Sequence, residues 1–227
     1  MTVRINKNAL NLREELTKAQ GVVRYEQRQF WMDGLVENGT FDNDLSGWSS
    51  AGLDVASVSV VGSAARLVGN SYIYQTISGL TAGKPYFLTV DITETNSQGS
   101  LRIGTSINGG DIYDSPTQTS AKTLTRTFTP SGTTVVITLK AEGTTGNTAA
   151  YMDFDNVAVF EVDENDEVIH SLPLGWKPLH VYEDGLIQRE GDVHDYTVVK
   201  TGGAYAIKPA VQPTGATETC VIAEREL

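Results

Sequence analysis

Two hydrophobic periods divide the chain. Between residues 5 and 23, Ile5, Ala9, Leu12, Leu16, Ala19 and Val23 recur at alternating steps of four and three, with Lys7, Arg13, Glu14, Glu15 and Lys18 between them. Those steps return to one face of a helix, so the segment predicts an amphipathic α-helix with a heptad seam. Fewer than three heptads, two of them carrying alanine, make a weak isolated coiled coil. Two readings therefore stand: a helix packed on its own domain, or a short oligomerisation and docking helix tightened by neighbouring chains. Residues 22–33 add Tyr25, Phe30 and Trp31, an apolar load suited to burial against a domain or a partner. Residues 1–34 are accordingly read as an N-terminal helical anchor, with Phe30 and Trp31 continuing the docking set.

From 35 to 162 the period falls to two. Ile73, Gln75 and Ile77 oppose Tyr72, Tyr74 and Thr76; Tyr86, Leu88, Val90 and Ile92 share one side, as do Val135, Ile137 and Leu139. Repeated alternation of this kind predicts antiparallel strands. Ser78-Gly79, Asn108-Gly109-Gly110 and Pro130-Ser131-Gly132 break the runs where turns are needed. The pattern predicts a jelly-roll β-sandwich of about eight strands. An acidic run over 161–167, followed by Pro173 and Pro178, reads as a boundary or exposed turn, and 163–178 as an acidic, proline-bearing linker. Short apolar runs at 179–182, 186–188, 196–199, 204–207 and 220–223 then predict a small C-terminal β module over 179–227. The fold class expected is mainly β: a jelly-roll sandwich with an N-terminal α-helix and a small β module.

Composition narrows the chemistry. Of the 227 residues, 17 are Lys or Arg and 28 are Asp or Glu, for a net charge of −11. An acidic surface without a basic cluster repels phosphate backbones and anionic lipid, so neither nucleic acid nor membrane insertion is expected. Cys220 is the sole cysteine, which excludes an intrachain disulfide and a multi-cysteine zinc site. Inside an apolar run, it reads as a small buried hydrophobe. The start Met-Thr-Val-Arg-Ile-Asn is not read as a signal peptide. There is no G-x-S-x-G elbow, no H-E-x-x-H, no phosphate-binding loop and no dinucleotide fingerprint. No catalytic residue is assigned, and the expectation is a protein that is not an enzyme.

Three stretches of the alternating region together resemble carbohydrate-binding modules of the family 4/9 type. They are Leu35-Val36-Glu37-Asn38-Gly39-Thr40-Phe41 running into Leu45-Ser46-Gly47-Trp48, Tyr74-Gln75-Thr76-Ile77-Ser78-Gly79-Leu80 continuing to Pro85-Tyr86, and Met152-Asp153-Phe154-Asp155-Asn156-Val157. The resemblance implies a jelly roll and a structural Ca²⁺ held by Glu37, Thr40 and Asp155; the alternative is that Asp155 and Asn156 only bond neighbouring backbone. It also places Trp48 in the core. Sugar binding needs flat aromatic faces beside amide or carboxylate partners, and Tyr72, Tyr74, Gln75 and Tyr113, with Asn96 and Asn108, could furnish it. The competing reading packs these tyrosines under a loop or against another subunit.

The C-terminal residues are similar to small β modules of tailed-phage virion proteins. The likeness is carried by Tyr182-Glu183-Asp184-Gly185-Leu186, by Asp195-Tyr196-Thr197-Val198 and by Lys208-Pro209-Ala210-Val211-Gln212-Pro213 before Cys220-Val221-Ile222. It implies a non-enzymatic bacteriophage virion structural protein, either a capsid decoration or head fibre, or a tail-fibre or adaptor component. Such a protein would be assembled in the host cytoplasm and would self-associate, as a trimer for preference, through the seam from Ile5 to Trp31. It would dock on other virion proteins such as the capsid, portal or tail. The alternative expectation is a glycan-binding adhesin or receptor-binding protein whose jelly roll takes a host surface glycan.

Overall fold

The computed structural model describes residues 27–31, 34–54, 58–163, 165, 167–183, 186–188, 190–191, 195–201, 203–211 and 219–225. The seam residues Ile5, Ala9, Leu12, Leu16, Ala19 and Val23 lie outside them. Seventeen strands follow in order: β1 (Gln27–Trp31), β2 (Ser49–Gly52), β3 (Ser59–Val61), β4 (Ala64–Val68), β5 (Ser71–Ser78), β6 (Tyr86–Thr95), β7 (Gly99–Gly104), β8 (Tyr113–Asp114) and β9 (Lys122–Phe128). They continue with β10 (Thr134–Ala141), β11 (Tyr151–Val162), β12 (Val168–Ser171), β13 (Trp176–Glu183), β14 (Leu186–Ile187), β15 (Tyr196–Thr201), β16 (Ala204–Pro209) and β17 (Thr219–Arg225). The described residues form two compact units, one built on 34–168 and the other on 27–31, 169–211 and 219–225.

The first unit is a β-sandwich of two antiparallel five-stranded sheets. One runs β2-β5-β10-β7-β8 and the other β3-β4-β11-β6-β9. Ile73 and Ile77 of β5, Ile137 and Leu139 of β10, and Leu101 and Ile103 of β7 meet Leu67, Leu88, Val90 and Phe154 of the other sheet in one core. Alternation does this directly: the odd-numbered residues of β5 face inward, and the even-numbered ones, Tyr72 and Tyr74, face out.

Along β11 the inward set changes parity. Met152 and Phe154 face the core before a register shift between Asp155 and Ala158, and Val157 and Val159 face it afterwards. A bulge inserts the extra residue that makes this flip, and Asn156 takes a positive φ of 49° within it. The Val157 amide donates to the Gly39 carbonyl at 2.9 Å. A Cβ at Gly39 would overlap the Val157 carbonyl, so only glycine lets the opening segment lie against the closing strand.

Trp48 is buried as expected, its ring 5.4 Å from that of Phe41, and its indole N–H donates to the Glu37 carbonyl at 3.0 Å. The expected linker over 163–178 is instead folded chain. The Asp163 carboxylate accepts from the amides of Asn165 and Glu167, at 2.8 and 3.1 Å, and the Asp163 amide donates to the Glu167 carbonyl. This is a side-chain-capped turn, in which the Asp163 carboxylate serves local geometry. Beyond it, β12 and β13 follow, and Pro173 accepts from the Trp176 amide across another turn.

The second unit has a four-stranded sheet, β1-β17-β13-β14, and a hairpin of β15 and β16 with β12 paired to β16. Leu172, Trp176, Val181, Tyr196, Ile207 and Val221 form its core. Pro178 sits at a register shift in β13, where a strand can accept a residue that has no N–H to donate. The anchor segment expected over 1–34 is thereby divided. Phe30 and Trp31 belong to β1, opposite Val221 and Cys220 of β17, so their backbone is part of a sheet and not of a helix. Cys220 is buried.

Candidate functional site

The outward side of the β2-β5-β10-β7 sheet gathers the aromatic candidates. Strand register places Ser49 and Ala51 of β2, Tyr72 and Tyr74 of β5, and Thr138 and Lys140 of β10 on that side, because residues directly opposite share a face. The Tyr72 and Tyr74 rings lie 6.3 Å apart at an interplanar angle of 42°, both half-buried. Tyr72 also packs against the sandwich core, which anchors the pair.

Charged and hydroxyl groups are fixed beside it. Lys140, the partner of Tyr72, lies 3.5 Å from the Glu142 carboxylate, and the Ser100 hydroxyl donates to the same carboxylate oxygen at 2.8 Å. On β7, Arg102 is opposite Thr138 and donates from Nε to Asp114 at 3.1 Å and from Nη1 to the Asn108 side-chain oxygen at 2.9 Å. The cations of this face are therefore matched to carboxylates. Such a surface offers aromatic faces, hydroxyls and oriented polar groups without an excess of either charge.

Structure separates the four residues expected to bind together. Gln75 faces inward and is only 7% exposed. Its side-chain oxygen accepts from the Glu37 amide at 2.8 Å, and its amide nitrogen donates to the carbonyls of Glu37 and Gly47 at 2.8 and 3.1 Å. Those three bonds pin the opening segment to β5. Tyr113 is opposite Ile103, on the inward side of β8, and its ring is covered by the Arg126 guanidinium at 4.6 Å. A depression of about 500 Å³ lies nearby, lined by Asp111, Ile112, Arg126, Thr127, Thr129 and Ser131 among others. Asn96 is likewise occupied, its amide nitrogen donating to the Ala149 carbonyl at 2.8 Å and its oxygen accepting from the Tyr151 amide at 2.8 Å. Asn108 does reach the outward side, through Arg102.

Of the three expected calcium ligands, Thr40 and Asp155 both neighbour Asp42. The Thr40 hydroxyl donates to Asp42 at 3.0 Å, while the Glu37 side chain lies against Gly47 and is exposed. Asp155 neighbours Asp91 as well as Asp42. Burial first, and then repulsion from those two carboxylates, pushes its pKa up, against the lowering effect of the Asn156 amide that it accepts at 2.7 Å. Among the described residues no group of three or more His, Cys, Asp or Glu side chains is arranged to hold a metal ion.

Lys140, Glu142, Ser100, Arg102 and Thr138 were not singled out from the sequence. Alternation in 134–141 puts Thr138 and Lys140 on one side of their strand, but only strand pairing sets that side next to the tyrosines.

No family model and no curated protein matches the chain. Among solved structures, it is similar to a family 4 carbohydrate-binding module, at 20% identity over 55% of this chain and 97% of that one, with a TM-score of 0.40. It is also similar to a family 61 module solved with β-1,4-galactotriose, at 20% identity over 56% and 98%, with a TM-score of 0.44. A third is the N-terminal cellulose-binding domain of Cellulomonas fimi β-1,4-glucanase C, at 22% identity over 57% and 97%, with a TM-score of 0.42.

Proposed function

We propose that the sandwich unit is a non-catalytic glycan-binding module that holds a neutral sugar on its outward Tyr72–Tyr74 face. The observation that carries this reading is the pair of tilted rings 6.3 Å apart on the outward side of β5, with Lys140 and Glu142 fixed alongside. Sugar C–H faces pack on aromatic rings while the hydroxyls exchange bonds with polar neighbours. The internal pairing of Lys140 with Glu142 and of Arg102 with Asp114 favours an uncharged ligand over an acidic one.

A glycan array with the full chain tests it. Wild type is expected to bind neutral oligosaccharides, and Tyr72→Ala or Tyr74→Ala to weaken binding about tenfold, the loss of roughly 1–2 kcal/mol of ring contact; both variants should still melt cooperatively, Tyr72→Ala at a lower temperature because its ring also packs against the core. No signal on any glycan from well-folded protein would contradict the proposal.

A second reading is that the chain is a virion structural protein that displays this module on a tailed-phage particle. The C-terminal motifs support it, as does the separate core of Leu172, Trp176, Val181, Ile207 and Val221 that lets those residues form a unit of their own. In that setting the seam from Ile5 to Val23 would join copies of the chain, and the sandwich would meet a host surface glycan.

A further inference from the structure

We infer that the Tyr72–Tyr74 face takes the end of a glycan chain and not its interior, with the 105–112 loop as the wall against which the terminal sugar stops. This rests on the glycan reading and adds to it the part of the ligand that is recognised. In β10 the outward positions are Val136, Thr138 and Lys140, yet Thr138 is 0% and Val136 only 7% exposed. Something covers the β10-β7 half of the outward side, and the contacts identify it. The Asn108 amide donates to the Thr138 hydroxyl at 3.2 Å. Gly104, opposite Val136, has the Gly109 carbonyl so close that a Cβ would stand 2.5 Å from its oxygen. The loop backbone therefore rests on the sheet, and glycine at 104 is what permits it.

The loop is held at several points, as a wall must be. Arg102 donates to the Asn108 side chain, and the Thr105 amide and hydroxyl donate to Asp111 at 3.0 and 2.9 Å. Those two bonds hold the Asp111 carboxyl below the usual carboxylate range. The Gly109 amide closes the turn on the Ser106 carbonyl at 3.0 Å, and Ile107 remains 51% exposed. What stays open is the strip of β2 and β5 with Lys140: Ser49, Ala51, Tyr72, Tyr74 and Thr76. A chain crossing the strands from β2 towards β8 passes over the tyrosines and then meets the loop. A covered half and an open half on one sheet leave room for a terminus and bar a continuous polymer from running across.

The test uses the full chain with neutral gluco-, galacto- and manno-oligosaccharides of graded length, and with size-fractionated polysaccharides of the same linkages, in titration calorimetry. The expected stoichiometry is one protein per chain whatever the polymer length, with affinity lost at least tenfold when the recognised end is chemically capped. Stoichiometry that grows in proportion to length, or affinity indifferent to capping of either end, overturns the inference while leaving a glycan-binding face. Failure of every probe to bind folded protein overturns both.

Discussion

At the scale of single residues, the same side-chain type serves opposite ends according to which way the strand turns it. Tyr72 and Tyr74 were legible as an outward pair because they alternate with Ile73 and Ile77. Gln75 was not legible as a structural residue, since nothing in a sequence announces that an inward amide will find the backbone of Glu37 and Gly47 waiting. A buried amide is tolerated when its bonds are made. Asp155 illustrates the reverse, a carboxylate whose ionised form is disfavoured by burial and by Asp91 and Asp42. Its folded pKa lies above its unfolded one, near 4, so its ionisation costs stability. The cost is absent below the unfolded pKa, grows as pH rises through the interval up to the folded pKa, and is complete above it. Asp155→Asn, which keeps an oxygen for the Asn156 amide, should raise the melting temperature at pH 7 and leave it unchanged near pH 3. Melts of both proteins across that range check this; a lower melting temperature at neutral pH would mean that the negative charge is used.

Elements were read from periodicity where it is clean and missed where a local device overrides it. The runs predicted at 196–199 and 204–207 became β15 and β16, because apolar alternation and the intervening glycine pair leave little choice. The bulge of β11 could not be read, since its parity change makes 151–162 look like neither a plain strand nor a helix. The acidic run was legible as an exposed turn, because charge density is a surface signal and Asp163 caps a turn there, but not the strands β12 and β13 that take up much of 163–178. Residues 27–31 were absorbed into a helical anchor because the heptad seam ends only a few positions earlier; in the structure they pair with β17. That pairing decides where to cut when the oligomer of the virion reading is tested. A chain lacking residues 1–26 keeps β1, whereas one lacking 1–33 would lose an edge strand. Light scattering after gel filtration should give a defined oligomer, a trimer for preference, for the full chain and a monomer after the shorter deletion. A full-length monomer would contradict self-association through the seam.

On the scale of the whole molecule, the described residues form two units, and the proposed glycan face belongs to the larger one. The net charge of −11 disfavours polyanions, yet the tyrosine face is locally balanced, which is what a neutral ligand needs. Composition bounded the partner class; strand pairing across β2, β5 and β10 was required to assemble the face, because no single segment contains it. The most direct measurement is a titration of the full chain, with its nine tyrosines ring-labelled for NMR, against neutral oligosaccharides. The account predicts saturable shifts in the Tyr72 and Tyr74 ring signals, with buried Tyr86 unmoved. Shifts confined to Tyr113, or none at all, would contradict it.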